Sequence, residues 1–207
     1  MFSDTVYTNN GATITGNGGP LDNQSHISGA AQFFGTFAFT NEGTITATGT
    51  QTLSGGIDDS LHIAVTGFTN TGTLHAAAGA ELVVQTDGAW RFTNLGGGAL
   101  TGGTYIVDNN ALMAFGGGSE PAIASLAADV TLGTGAVLET STLGTLHTIE
   151  QALTTIASGA HLTLNAHNGT WTNAIVDNGT LTLANDVFTD AQGLTISATG
   201  VAGGTGE

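Results

Sequence analysis

A short phrase returns along this chain with its parts always in the same order: an aromatic residue, Thr-Asn, a spacer, Gly-Thr, then an alternating apolar stretch. It reads Phe39-Thr40-Asn41-Glu42-Gly43-Thr44-Ile45, then Phe68-Thr69-Asn70-Thr71-Gly72-Thr73-Leu74, then Phe92-Thr93-Asn94-Leu95-Gly96. Trp171-Thr172-Asn173 is a weaker echo, with Asp177-Asn178-Gly179-Thr180-Leu181 behind it, and Tyr7-Thr8-Asn9-Asn10-Gly11 is a degenerate first copy. The clear copies start 29 and 24 residues apart, within the period range of stacked repeat architectures. A repeat of single strands cannot bury its apolar face alone and must stack on its neighbours.

The strands themselves are legible as short alternations bounded by Gly, Asn and Thr. Leu162, Leu164 and Ala166 oppose His161, Thr163, Asn165 and His167; Leu194, Ile196 and Ala198 oppose Thr195, Ser197 and Thr199. Ile45 and Ala47 oppose Thr44, Thr46 and Thr48, and Leu82 and Val84 oppose Glu81 and Gln85. Asn10-Gly11 and Asn178-Gly179 would suit two-residue hairpins. A unit that keeps its polarity from copy to copy is explained more directly by a parallel coil, with Phe on Phe, Asn on Asn and Gly on Gly. The expected fold is therefore all-β, a right-handed parallel β-helix (β-solenoid) of about nine laps and roughly 40–45 Å. Residues 39–200 form the solenoid repeats, residues 1–38 irregular N-terminal coils or a partial cap, and residues 201–207 a flexible C-terminal tail. Residues 148–156 read either as one short flanking helix or as another strand lap. There Ile149, Leu153 and Ile156 fall at helical spacing, and Thr148 with Gln151 forms a capping box.

Composition narrows the function classes. Only 8% of residues are charged, against a net charge of −15, with no lysine and Arg91 as the one strong cation. Displacing phosphate counterions needs cations, so no nucleic acid is expected as a partner, and anionic membrane surfaces are disfavoured for the same reason. No apolar run approaches the roughly 20 residues of a membrane helix, so no membrane insertion by this segment is expected. Cysteine is absent, which removes disulfides and thiolate metal sites.

The phrase itself, the run Leu100-Thr101-Gly102-Gly103-Thr104-Tyr105-Ile106-Val107 and the run Ala127-Ala128-Asp129-Val130-Thr131-Leu132 resemble bacterial β-strand-repeat surface proteins. These are the passenger regions of autotransporters and the filamentous-haemagglutinin-like adhesins. The resemblance covers roughly residues 39–200. It implies an extracellular or cell-surface β-helix, an adhesive or structural stalk rather than an enzyme, that touches glycans or surface proteins by weak multivalent contact. Because Met1-Phe2-Ser3-Asp4-Thr5 is unlike a secretory signal, the expectation is of a longer parent chain.

The residues expected to set the register are Phe39, Asn41, Gly43, Phe68, Asn70, Gly72, Phe92, Asn94, Trp171 and Asn173. The aromatic column is read as an internal stack rather than a sugar platform, and the asparagines as amides laddered at a turn. No catalytic residue, cofactor or metal site is assigned. Asp58-Asp59 and Asp186 with Asp190 offer oxygen ligands for calcium, but the Gly-Gly-x-Gly-x-Asp nonapeptide is absent. His62, His75, His161 and His167 read as surface strand residues, and Arg91 as a surface contact to Asp87. The alternative function is a polysaccharide-active β-helix lyase or hydrolase, in which stacking would bring two carboxylates within roughly 5–9 Å. A third is an ice-binding solenoid, using Thr13-Ile14-Thr15 and Thr44-Ile45-Thr46. The sequons at Asn23, Asn168 and Asn178 are expected by chance. Loops 115–121 and 143–157 are candidate contact points.

Overall fold

The computed structural model describes residues 6–49, 60–118, 121–142, 144–190, 192–197 and 200–204. Strands β1 (Val6–Asn17), β2 (Leu21–Asn23), β3 (His26–Asn41), β4 (Thr44–Ala47), β5 (Leu61–Asn70), β6 (Thr73–Ala76) and β7 (Glu81–Gln85) make the first half. They are followed by β8 (Leu95–Gly96), β9 (Ala99–Val107), β10 (Leu112–Gly116), β11 (Ser125–Leu132), β12 (Val137–Thr142) and β13 (Thr145–Thr148). After helix α1 (Ile149–Ala152) come β14 (Thr155–Ile156), β15 (His161–Asn165), β16 (Thr170–Trp171), β17 (Ile175–Asp177), β18 (Thr180–Ala184), β19 (Thr189–Asp190), β20 (Leu194–Ile196) and β21 (Val201–Gly204).

Three ladders account for nearly all the pairing. The first joins β1, β3, β4, β6, β9, β11, β15, β18 and β21, every neighbouring pair parallel. Its register aligns Val6, Ile27, Ile45, Leu74, Tyr105, Val130, Leu162, Leu181 and Ala202 as successive rungs. At about 4.8 Å per rung these nine span roughly 40 Å. The second ladder aligns Ile14, Phe33, Ile63, Val84, Phe115 and Thr140 through β1, β3, β5, β7, β10 and β12. The third stacks Leu21, Phe39 and Phe68, reaches Phe92 by a single parallel bridge, and resumes as Leu100, Leu126, Ile156, Asp177 and Ile196. Long strands pass between ladders: β3 contributes to all three. The result is an all-β, parallel-dominant sheet compatible with a β-solenoid.

Each ladder turns one side inward, as period-2 alternation demands. Ile27, Ile45, Leu74, Val130 and Leu162 are buried in the first, Leu61, Leu82, Met113 and Leu138 in the second. Aromatic rings run through the middle: Phe33 to Phe39 at 4.9 Å between centroids, Phe39 to Phe68 at 5.2 Å, Phe68 to Phe92 at 5.4 Å and Phe92 to Phe115 at 5.0 Å. Stacks of this kind add roughly 0.5–1.5 kcal/mol each beyond area burial. Burial also holds the Tyr105 phenol well above its usual range, although the Asn70 amide works the other way.

Two antiparallel pairings interrupt the coil. β8 with β9 is a small hairpin inserted after Asn94. β12 with β13 is a second, and it covers the outer edge of the last rung of the second ladder, the edge that an open sheet must protect. The chain then enters α1, where the Thr148 amide donates to Gln151 Oε1 at 3.2 Å in the expected capping box. Val201–Gly204, expected as a flexible tail, pairs in parallel with β18. Within residues 1–38, expected as irregular coils or a partial cap, β1, β2 and the first part of β3 pair in parallel with the strands that follow, with a register shift in β1 between Thr8 and Ala12.

Candidate functional site

The corner between the third and first ladders is the most repeated local structure. Asn23 Nδ2 donates to Asn41 Oδ1 at 2.6 Å, and Asn41 Nδ2 to Asn70 Oδ1 at 2.7 Å. Asn41 Nδ2 also reaches the Thr73 carbonyl at 3.1 Å. Asn94 closes the row differently: its Oδ1 accepts from the Asn70 amide at 2.7 Å while its Nδ2 donates to the Asn70 and Thr101 carbonyls at 2.8 and 2.6 Å. All four asparagines are buried, so these bonds satisfy groups that water cannot reach. Replacing Asn70 with alanine removes the 2.7 Å acceptor of the Asn41 side-chain amide, leaving it the longer Thr73 bond. At roughly 1–3 kcal/mol per orphaned buried group, a fall in Tm of several degrees is expected by calorimetry. An unchanged Tm would contradict the ladder.

Asn23, read in the sequence only as a chance sequon, is the first member of this row. The signal was available: Leu21-Asp22-Asn23-Gln24-Ser25-His26-Ile27 has the same apolar-x-Asn-x-small-x-apolar pattern. Trp171 and Asn173, expected in the columns, lie elsewhere. Trp171 is buried on Phe188 at 5.5 Å and pairs with Asp190 in a separate two-stranded sheet. Asn173 Nδ2 donates to the Gln151 carbonyl at 2.7 Å and the Thr172 amide to the Glu150 carbonyl at 3.0 Å. Thr172-Asn173 therefore satisfies carbonyls of α1, which a helix end leaves unpaired. The column position falls instead to Asp177, whose Oδ1 accepts from the Gly179 amide at 2.9 Å.

His167 is a second correction. The strand ends at Asn165, and Ala166 and Asn168 take left-handed conformations, with φ of 52° and 53°. This turns His167 inward, where Nδ1 meets the Gly133 carbonyl at 3.0 Å and Nε2 meets Glu150 Oε1 at 2.5 Å. Burial alone would lower the His167 pKa. The Glu150 bond, the Gly133 carbonyl and the charges of Glu150 and Asp186 outweigh it, so the net shift is upward. For Glu150, burial would raise the pKa, but the bonds from His167 and Thr148 bring it below the ordinary value. With an acceptor on each ring nitrogen, the geometry fits an imidazolium. The other histidines are at the surface or half-buried: His161 Nδ1 lies 2.6 Å from Asp129 and His75 Nε2 2.8 Å from Asp108.

The calcium candidates separate. Asp186 accepts from the His167 and Asn168 amides at 2.8 and 3.0 Å, and Asp190 Oδ1 from the Gln192 and Gly193 amides at 2.8 and 3.0 Å. Asp190 braces its own turn, and Asp186 braces the turn at His167 and Asn168. Asp58 and Asp59 lie outside the described residues, as do Ser119, Glu120 and Leu143 of the two candidate contact loops. Among the described residues no three His, Asp or Glu side chains converge on a metal position. Arg91 Nη1 donates to the Gly88 and Trp90 carbonyls at 3.1 and 2.9 Å rather than to Asp87. Among the described residues no helix is long and apolar enough to cross a membrane.

One carboxyl among the described residues feels the charge of another, two rungs away. Glu81 and Glu139 stand on the same ladder, in β7 and β12. Burial first, and then the Glu81 charge, raise the Glu139 pKa. A carboxyl whose folded pKa is raised contributes stability below its unfolded pKa and loses it as pH rises through the folded value. Glu139→Gln is therefore expected to raise Tm at pH 7 and leave it unchanged near pH 3. A lower Tm at pH 7 would show that the carboxylate is stabilising instead.

The Thr-x-Thr segments do not share a surface: Thr13 and Thr15 lie on the second ladder, Thr44 and Thr46 on the first. On the first ladder the outward rank through Thr44, Thr73 and Thr104 continues into Asp129 and His161. Comparison of the chain with family models, curated proteins and solved structures found no match.

Proposed function

We propose that this chain is a right-handed β-solenoid segment serving as an adhesive or structural stalk in a surface-displayed or secreted bacterial repeat protein. The observation that carries this reading is the first ladder, nine parallel rungs in register, buttressed at one corner by the buried asparagine row. Each rung is held on both edges by its neighbours, so load along the stack is shared by many backbone bonds. Outward positions of the first and third ladders are rich in Thr, as at Thr44, Thr73 and Thr104 and at Thr40 and Thr69, which suits weak repeated contacts with glycans or other surface proteins. Asp177 and Asp190 are committed to amides of their own turns and Asp186 to amides of the turn at His167 and Asn168.

The competing reading, a polysaccharide-active enzyme, would draw on Glu81 and Glu139, which stand two rungs apart on the second ladder. A glycan array read alongside a reducing-end assay separates the two. Retention of glycans or surface proteins without depolymerisation is the expected result, and turnover of any polysaccharide that Glu139→Gln abolishes would replace the stalk with a hydrolase.

A further inference from the structure

The second ladder carries an aromatic cleft that the stacking of rungs does not require. Thr15, Phe34 and Ala64 are neighbouring outward positions on β1, β3 and β5. Phe34 is 51% exposed, although the residues on either side of it in sequence are a buried phenylalanine and a glycine. Trp90, from the loop after β7, leans over it with ring centroids 5.1 Å apart and planes inclined at 59°. With Thr15, Gly16, Gly35 and Thr36 the two rings bound a cleft of about 350 Å³, within the roughly 300–1,000 Å³ of small-ligand sites. Its floor is kept low by glycine. A Cβ on Gly35 would overlap the Gly16 carbonyl oxygen, and one on Gly16 would meet the Phe37 ring at 2.9 Å. A second hollow of about 210 Å³ shares Phe34 and adds Gln32, His62 and Gln85.

We infer that this cleft is a binding subsite for a neutral oligosaccharide, with sugar rings seated against Phe34 and Trp90. Three features select that ligand. The aromatic faces are electron-rich and suit the C–H edge of a pyranose ring. The rim is made of hydroxyls and amides, Thr15, Thr36, Gln32 and Gln85, which both donate and accept and so match sugar hydroxyls. The chain carries a net charge of −15 with a single arginine, which opposes sulfated or uronic-acid polymers and nucleic acid. The shared ring Phe34 gives room for consecutive residues of one glycan running across the rungs. The inference rests on the adhesive half of the reading above and names where that adhesion occurs.

The test titrates the full chain with cellohexaose, xylohexaose, chitohexaose and maltohexaose, with a heparin hexasaccharide and a proline-rich peptide as competitors. Binding is read by calorimetry and by tryptophan emission, since Trp90 is half-buried while Trp171 is fully buried. At least one neutral hexasaccharide is expected to bind. Phe34→Ala and Trp90→Ala should each weaken it about tenfold or more at unchanged Tm, while Trp90→Phe, which keeps a ring, retains most of the affinity. If a glycan binds equally well to both alanine variants, the cleft is wrong and the adhesive reading survives. If no neutral glycan binds at about 10 mM, or heparin or the peptide is preferred at Phe34 and Trp90, the ligand assignment falls. The stalk reading is judged separately, by the depolymerisation assay.

Discussion

Gly72→Ala is expected to unfold or severely destabilise this protein, by about 4 kcal/mol or more, while Gly96→Ala leaves Tm within about 2 °C. Both glycines follow a Phe-Thr-Asn-x phrase, so the letters alone do not separate them. The structure does. The Thr73 amide donates to the Gly43 carbonyl at 2.8 Å, and the Thr104 amide to the Gly72 carbonyl at 2.8 Å. Each corner glycine therefore sits directly beneath the carbonyl of the corner before it. A Cβ on Gly72 would overlap the Gly43 oxygen, and one on Gly43 would overlap the Ser25 oxygen. Neither glycine has a left-handed φ; the requirement is space, and backbone cannot yield it without breaking the rung. Gly96 belongs to the inserted hairpin, and a Cβ there meets nothing within 4 Å. Its place in the column is taken by Gly103, where a Cβ would overlap the Asn70 amide nitrogen. Equal Tm losses for the two alanine variants, measured by calorimetry, would show that the glycines act through chain flexibility instead.

His167→Gln is expected to cost about 3–5 kcal/mol near pH 6, the range for stripping one partner from a buried ion pair. The side chains of His167 and Glu150 are only 4% and 12% exposed. The facing groups are Glu150 from α1, Asp186 and the Gly133 carbonyl. The signs run in opposite directions for the two partners. His167, raised from an ordinary 6.5, contributes stability that is complete below 6.5 and is lost as pH rises through the raised value. Glu150, lowered from an ordinary 4.5, contributes stability that is complete above 4.5 and is lost as pH falls through the lowered value. The difference in Tm between the natural chain and His167→Gln should therefore be greatest between about pH 4.5 and 6.5 and shrink on both sides. Taking the difference removes the general repulsion of so acidic a chain. A difference that does not vary with pH would mean that His167 acts only by filling space.

Much of the coil was legible because its physics is local and repeated. Phe39, Phe68 and Phe92 stack and Asn41, Asn70 and Asn94 are laddered, as their spacing implies, and Thr148 with Gln151 opens helix α1, one of the two readings that its letters allow. What spacing could not reveal is lap length. One lap takes 18 residues, from Asn23 to Asn41, and another 32, from Asp129 to His161. The excess goes into hairpins and turns that leave the rung register untouched, so a column is conserved in space while its letters drift apart. That drift separated Asn94 from its true glycine at 103, and it made Trp171-Thr172-Asn173 look like a rung when it closes a helix. His167 was misplaced for a related reason. Alternation carried past Asn165 assigns it outward, whereas the left-handed residues on either side of it, Ala166 and Asn168, reverse the direction.

The parallel register can be tested chemically because the chain has no cysteine of its own. Thr44 is the partner of Thr73, and Thr46 of His75, in neighbouring rungs of the first ladder. Adjacent strands place partner Cα atoms about 4.8 Å apart, inside the roughly 4.4–6.8 Å that a disulfide spans. Oxidation of Thr44→Cys/Thr73→Cys and of Thr46→Cys/His75→Cys should give intramolecular cystines, mapped by mass spectrometry. Thr44→Cys/His75→Cys and Thr46→Cys/Thr73→Cys should stay reduced. The reverse outcome, with only the crossed pairs closing, would mean antiparallel rungs and would contradict the fold on which the stalk depends.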